Sequence, residues 1–331
     1  MTMRAVGYRE NLDVGDPASL VDVTMPVPVP GPHDLLVRVR AVSVNPIDTK
    51  IRRGSPVAGG AVRILGFDAA GTVEAIGPEV TRFGVGDDVY YAGVTNRPGS
   101  NAEFQVVDEH IVGRKPATLD FAQSAALPLT TITAWEGLFD HLGLTPDSSG
   151  TLVAVAAAGG VGSMVTQLAR TQTGLTVIAT ASRPESARFA TALGAHHVVN
   201  HHNSLAGHVL AIAPDGVDHV FSPYSPQHID AYARALRPLG HVVCIDAPPD
   251  LGPIRHKSIT WHSELMFTRP LFLPTDDSQH HLLNQAAALV DAGVLRTTAT
   301  EVLDRMDAAT LRQAHRMVET AAMVGKVVIN A

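Results

Sequence analysis

Apolar positions in the middle of the chain recur as short unbroken runs, each followed by a stretch with a single apolar face. Thr151–Ala156 is such a run, of the kind buried on both faces of a parallel sheet. Beyond it, Met164, Val165, Leu168 and Ala169 share one face of a helix that runs to Gln172. The same pattern predicts further strands at Leu175–Thr180, His197–Asn200, Val217–Phe221 and Gly240–Asp246. Helices are predicted between them at Pro184–Leu193, Ser204–Ile212 and His228–Leu236. This alternation predicts an α/β fold built on a doubly wound parallel sheet.

The first 126 residues follow a different rhythm. Val21–Pro32 contains Pro26, Pro28, Pro30 and Pro32, which predicts an extended segment outside any central strand. Leu35–Val44 alternates around Arg38 and Arg40 as a half-exposed strand does. Short strands are predicted at Ala69–Ile76, Asp88–Ala92 and Ala102–Val107, with glycine turns between them, as in an irregular antiparallel β-barrel. The βα rhythm takes over near Ser124–Trp135. After Phe272, helical faces at Gln279–Asp291 and Ala308–Ala321 precede a final strand, Lys326–Ile329. This tail is expected to return to the N-terminal domain. One domain would then comprise residues 1–126 and 271–331, with a second, 127–270, inserted in it.

The joint after the first parallel strand carries the candidate chemistry. It reads Ala156-Ala-Ala-Gly-Gly-Val-Gly-Ser163. Ala157, Gly159 and Gly162 occupy the three positions of a dinucleotide fingerprint, with Ala in place of the first Gly. Gly159 would let the backbone approach a pyrophosphate, and Gly162 would let the helix pack closely on the strand. Gly159, Gly160, Val161 and Gly162 therefore stand as cofactor contacts at a helix N-terminus, where free N–H groups and the helix dipole favour phosphate. A tight turn that binds nothing is the bland reading of the glycines alone. The βα units that follow favour the cofactor. At the end of the second strand the chain reads Thr180-Ala-Ser-Arg183, with no carboxylate for the ribose hydroxyls of NAD. Ser182 and Arg183 offer a hydroxyl and a guanidinium to a 2′-phosphate, which points to NADPH. Ser182 also reads as a cap for the helix beginning at Pro184, and the two roles are compatible.

Composition narrows the picture without redirecting it. The 331 residues suffice for two domains with substantial cores, and the formal charge of −7 gives no reason to expect nucleic acid or an anionic membrane. No signal-like or membrane-length apolar run is present, so a cytoplasmic enzyme is expected. Cys244 is the single cysteine and lies in a predicted core strand, where it reads as a small buried hydrophobe.

Ordered motifs along the chain resemble a known family. They are Ser43-Val-Asn-Pro-Ile-Asp48, Gly66-Phe-Asp-Ala-Ala-Gly71, Gly99-Ser-Asn-Ala-Glu-Phe104, Ala125–Trp135, Ala158-Gly-Gly-Val-Gly162 and Gly325-Lys-Val-Val-Ile329. Together they resemble the medium-chain dehydrogenase/reductase superfamily, in its zinc-independent quinone oxidoreductase (zeta-crystallin-like) branch. The likeness extends to members labelled zinc-type alcohol dehydrogenase. The resemblance implies a GroES-like barrel domain, a Rossmann domain and a cofactor cleft between them. In the metal-dependent relatives a Cys stands near Ser43-Val-Asn45, and a Gly-His-Glu stands where this chain has Gly66-Phe67-Asp68. Neither that Cys nor that His is present here, and the four-cysteine structural lobe is absent, so zinc is expected in neither role. Adjacent pairs among the 16 histidines, such as His196-His197 and His280-His281, read as surface or packing residues.

Without zinc, the natural reaction is hydride transfer from NADPH to a quinone or an α,β-unsaturated carbonyl. By resemblance, Asn45 lies near the nicotinamide ribose and the acceptor carbonyl, where its amide would donate to a developing oxyanion; a turn-forming Asn before Pro46 is the alternative. Thr130 matches a family position against the nicotinamide, or else caps a helix. Lys50 sits where relatives often carry Tyr, and stands as a candidate for stabilising the product oxygen. His201 follows the third strand where relatives place an aromatic beside the adenosine phosphate. Asp48 and Asp68 are expected to satisfy barrel backbone donors, Tyr91 to sit in the barrel core or line the acceptor pocket, and Lys326 to dress the final strand. Trp261, Met266, Phe267 and Phe272 are expected to form an apolar wall over the nicotinamide, or an interdomain or dimer core. Lys257–Phe267 resembles the edge strand that relatives pair across a twofold axis, which implies a homodimer. A zinc-free alcohol or aldehyde dehydrogenase and a non-catalytic NADPH-binding protein are the other readings.

Overall fold

In the computed structural model, which describes residues 1–202 and 204–331, the chain forms two units: Met1–Leu129 with Phe267–Ala331, and Thr130–Met266. The boundaries fall at 129/130 and 266/267, where the apolar pattern puts them at 126/127 and 270/271. The first unit begins with strands β1 (Thr2–Tyr8), β2 (Val21–Pro26) and β3 (Asp34–Ser43), then helix α1 (Pro46–Gly54). It continues through β4 (Arg63–Ile64), β5 (Asp68–Ile76), β6 (Asp88–Ala92), β7 (Phe104–Asp108), β8 (Val112–Arg114) and α2 (Phe121–Ala125). Helix α3 (Pro128–Trp135) spans the boundary and passes into a π-helical stretch, Glu136–His141. The second unit contains β9 (Ser149–Ala154), α4 (Gly160–Gln172), β10 (Gly174–Thr180), α5 (Pro184–Ala192), β11 (His197–Val199) and α6 (Leu205–Ile212). It ends with β12 (Val217–Ser222), α7 (Ser225–Ala235), β13 (Leu236–Cys244) and β14 (Thr260–Ser263). The chain then completes the first unit with α8 (Thr268–Phe272), α9 (Ser278–Asp291), β15 (Ala299–Leu303), α10 (Ala308–Glu319) and β16 (Lys326–Asn330).

The first unit is a mostly antiparallel assembly. One sheet runs β15-β16-β3-β5-β6-β8 with β7 also on β3, and a smaller one runs β2-β1-β4. The proline-rich stretch supplies β2, which pairs only with β1 and so lies at a sheet edge, where a missing N–H is tolerated. Alternation along β3 buries Leu35, Val37, Val39 and Ala41. Several elements depart from the sequence pattern: strands β1, β8 and β15 form where it marks none, and α1 and β13 differ from it. Helix α1 forms over residues that suggested only a turn, because Pro46 at its first turn starts the helix without losing a hydrogen bond. Strand β13 begins at Leu236 instead of Gly240, with Leu239 held at a φ of 65°.

The second unit is a six-stranded parallel sheet in the order β11-β10-β9-β12-β13-β14. The order reverses between β9 and β12, the point at which doubly wound sheets bind ligands beyond their carboxyl ends. Val153, Val155, Ile178, Val220, Val242 and Cys244 build the core on one face, closed by Val209 of α6 with Ile229 and Tyr232 of α7. Burial there pushes the Cys244 thiol up to about 11, in keeping with an inert hydrophobe. No described helix is long and apolar enough to cross a membrane.

Within the first unit, Arg52 pins α1 to α10. Its side chain is fully buried; it pairs with Glu319, donates to the Leu12 carbonyl, and donates through Nε to His315 Nδ1 at 3.3 Å. Because Nδ1 accepts, the His315 proton belongs on Nε2, which has no hydrogen-bond partner among the described residues. Burial, and then the Arg52 charge, push His315 down to about 3. Below the ordinary histidine value of 6.5 the unfolded chain takes up a proton that the folded chain refuses until about pH 3, so His315 weakens the fold as pH falls through that window. His315→Gln is expected to flatten the fall in melting temperature between about pH 6.5 and 4. An unchanged slope would show that His315 is not the group responsible.

Candidate functional site

Three segments of the first unit converge on one buried carboxylate. Asp68 opens β5 and is 0% exposed; Asn45 precedes α1 at 1%, and Lys326 opens β16 at 4%. Lys326 Nζ donates to Asp68 Oδ2 at 2.8 Å and also to Asn45 Oδ1. Asn45 Nδ2 donates to the same Asp68 oxygen at 2.8 Å, and the other Asp68 oxygen accepts the Leu129 N–H at 2.7 Å. An ammonium only donates and a carboxylate only accepts, so the two neighbours determine which way the Asn45 amide faces. Asp48, one turn into α1, accepts the Asn45 N–H at 2.8 Å and the Gly66 N–H at 3.0 Å. Burial pushes the Asp48 carboxyl up to about 7; those two N–H groups and the Lys326 ammonium oppose the rise, and Asp68 adds to it. The cluster is a fixed polar constellation with one buried ion pair, Lys326 with Asp68, at its centre.

The second unit carries the glycine turn. Strand β9 stops at Ala154, and Ala156 adopts a φ of 53°, a conformation uncommon outside glycine. The turn is held by β10: the Thr180 hydroxyl accepts the Ala156 N–H at 2.9 Å, and its carbonyl accepts the Ala157 N–H at 3.2 Å. A Cβ on Gly162 would stand 2.4 Å from the Ala156 carbonyl oxygen, so only glycine allows α4 to pass this close to the strand end. A Cβ on Gly159 would meet nothing nearer than 3.4 Å, which leaves the backbone open to an approaching group. Gly159 is the N-cap and has no side chain to close α4, so the first N–H groups, including those of Gly160 and Val161, keep their donor capacity for an anion. These features fit a dinucleotide pyrophosphate.

The other expected site residues distribute as follows. Arg183, not Ser182, is the N-cap of α5; it is exposed and its guanidinium donates to Ser186 Oγ at 3.2 Å, while Ser182 stands half-buried beside it. His201 packs against His202 and His228, with ring centroids 4.5 and 6.5 Å away, and burial followed by those two rings lowers its pKa. Thr130 is buried inside α3, which excludes the capping role. Lys50 projects from α1 as an exposed side chain. Asn45 departs from expectation: its amide is turned inward and engaged by Lys326 and Asp68, not presented to an oxyanion. Tyr91 is fully buried, and burial pushes its hydroxyl well above the ordinary tyrosine value. Trp261 packs on the core of the second unit and Met266 is buried; in the first unit Phe267 lies 5.0 Å from the Phe67 ring and Phe272 is 74% exposed. Lys326, expected to dress the strand surface, is the residue the sequence pattern misses.

Comparison with known proteins agrees with this architecture. The family described as alcohol dehydrogenase GroES-like domain matches residues 31–117, and zinc-binding dehydrogenase matches residues 160–272. A zinc-type alcohol dehydrogenase-like protein of Staphylococcus epidermidis is 37% identical over 99% of both chains. A quinone oxidoreductase of Pseudomonas aeruginosa is 31% identical over 91% of this chain and 92% of its own. Among solved structures, a Rhizobium etli CFN 42 protein named for zinc-dependent alcohol dehydrogenase is 48% identical, with a TM-score of 0.94 over 100% of this chain and 98% of that one. The mycobacterial protein Rv1454c, solved with NADPH, is 26% identical, with a TM-score of 0.85 over 99% of this chain and 100% of that one.

Several of these names invoke zinc, yet the donor set at Asp68 does not suit it. The adjacent Phe67 is a buried ring, the carboxylate already holds an ammonium, and the single cysteine belongs to the other unit. Among the described residues no group of three or more His, Cys, Asp or Glu side chains is placed to hold a metal ion. Removing one partner of a buried ion pair leaves the other charge uncompensated. Lys326→Met is therefore expected to lower unfolding stability by about 3–5 kcal/mol, and Lys326→Met with Asp68→Asn to recover part of it. Denaturant titration of the two variants checks this, and a double variant no more stable than the single would contradict it.

Proposed function

As the chain belongs to the medium-chain dehydrogenase/reductase superfamily, we propose that it is an NADPH-dependent, zinc-independent reductase that delivers hydride to a quinone or an α,β-unsaturated carbonyl. One observation carries the reading: Phe67 and Asp68 stand where the metal-dependent relatives have His and Glu, and Asp68 is paired with the Lys326 ammonium. An alcohol substrate then has no Lewis acid to lower its pKa, whereas an electron-poor acceptor needs only hydride and a proton. Quinone oxidoreductases among the relatives support the acceptor class.

NADPH supplies the hydride when bound. The chain would hold its pyrophosphate at Gly159, Gly160, Val161 and Gly162, and its adenosine 2′-phosphate at Ser182 and Arg183, with His201, just after β11, where the resemblance places an aromatic beside that phosphate. The absence of any carboxylate between Thr180 and Arg183 supports NADPH over NADH. In this reading Asn45 acts as part of a rigid polar cluster, while Thr130 and Lys50 remain the candidates for contacting the nicotinamide and the acceptor oxygen. Among the described residues strand β14 has a neighbour on one side only, which supports pairing with a second copy in a homodimer.

The test is NADPH oxidation by chelator-treated protein with a naphthoquinone and with an unhindered enone. Turnover that survives chelation is expected; activity restored only by zinc would overturn the proposal, and its absence in every condition would favour a binding role. Separately, Arg183→Ala should weaken NADPH about tenfold, as loss of a charged hydrogen bond does, and leave NADH unchanged. Equal weakening of both would remove Arg183 from the 2′-phosphate site.

A further inference from the structure

Three successive strands of the second unit each place a histidine on the face opposite its Val153–Cys244 core. His219 of β12 lies in register with His241 of β13, and His262 of β14 is two residues beyond the partner of His241. Residues two apart along a strand share a face, so the three rings form a row. Their centroids are 5.5 Å apart at each step, and His141, from the π-helical stretch, stands 5.7 Å beyond His262. Phe221 and Val243, packed beneath Gly137 of the same stretch, lie on this face too.

The contact within the row that bears on chemistry is between His241 Nδ1 and His262 Nε2, which are 3.2 Å apart. Two imidazole nitrogens bound to one tetrahedral Zn²⁺ at about 2.0–2.1 Å stand roughly 3.3 Å from each other. The pair thus already has the spacing of two ligands of one ion. We propose that His241 and His262 form a binding site for a divalent transition-metal ion of the zinc, nickel or copper class, with water completing the coordination.

Both rings are half-buried, so an ion and its waters can reach them. With each ring carrying its proton on the nitrogen away from the contact, the present hydrogen bond becomes two lone pairs available to one ion, with no net release of a proton. Glu264 continues β14 on the same face. Its Oε2 is 2.8 Å from His141 Nε2, and its Oε1 is buried with no hydrogen-bond partner among the described residues. With only two protein ligands, affinity in the micromolar range is expected, far from that of a closed structural zinc site. The site belongs to the second unit, whereas Asp68 belongs to the first. It does not depend on the proposed reaction.

Tag-free, metal-stripped protein titrated with Ni²⁺ or Zn²⁺ at pH 7.5 in a calorimeter tests the site. One ion per chain is expected, weakened at least tenfold by His241→Gln and by His262→Gln but not by His281→Gln. Equal affinity in all variants, or no binding up to about 1 mM ion, overturns the proposal. Should either variant fail to fold, electron paramagnetic resonance of Cu²⁺ on the unaltered protein decides. Coupling to two nitrogens lost at pH 5 supports the pair, and coupling to fewer overturns it.

Discussion

The contact between Lys326 and Asp68 organises the first unit. Both charges are removed from water, and the Coulomb attraction alone seldom offsets that desolvation. Here the deficit is met by neutral donors: the Leu129 N–H satisfies one carboxylate oxygen, and the Asn45 amide shares the other with the ammonium. One carboxylate thereby ties the start of β5, the approach to α1, the start of α3 and the last strand. A cluster so mutually determined is rigid. That rigidity suits a reaction whose protein groups must already point the right way when charge develops.

The glycine turn of the second unit solves a different problem. Its strained Ala156 and the close approach at Gly162 are unfavourable alone, and Thr180 of the neighbouring strand holds the turn in place by accepting two of its N–H groups, one at the hydroxyl and one at the carbonyl. The end of β10 therefore has two duties. Thr180 sets the shape of the glycine turn, and in the proposed reading the next three residues select the ribose substituent.

Much of this was legible in the sequence because short-range rules decide it. Apolar runs and the glycine spacing marked β9 and α4, and the alternation of strands and helices gave the parallel sheet to within a few residues. Helix α1 was hidden because Ile47 and Ile51 alone give too thin an apolar face, and Asn45-Pro46 looks like a turn. Lys326 was misread because a lysine in a strand is ordinarily solvated, and its partner lies 258 residues earlier. The inward turn of the Asn45 amide follows from that same distant contact. The histidines teach the same lesson. Adjacent pairs such as His196-His197 drew the eye, whereas the row that forms takes its members from strands about twenty residues apart, a spacing set by the βα repeat.

The division of the first unit into two separated stretches has a consequence for how the protein is made. A ribosome adds about 5–20 residues per second, so Asp68 emerges many seconds before Lys326. The second unit, contiguous from Thr130 to Met266, has its own core and is complete before the last 65 residues appear. The barrel must wait, with β3 lacking β16 and a carboxylate lacking its counter-ion, until the end of the chain arrives. Synthesis thus imposes an order of assembly in which β16 reaches β3 only after the second unit is made, and a chain cut short before Lys326 would leave Asp68 a reason to stay in water.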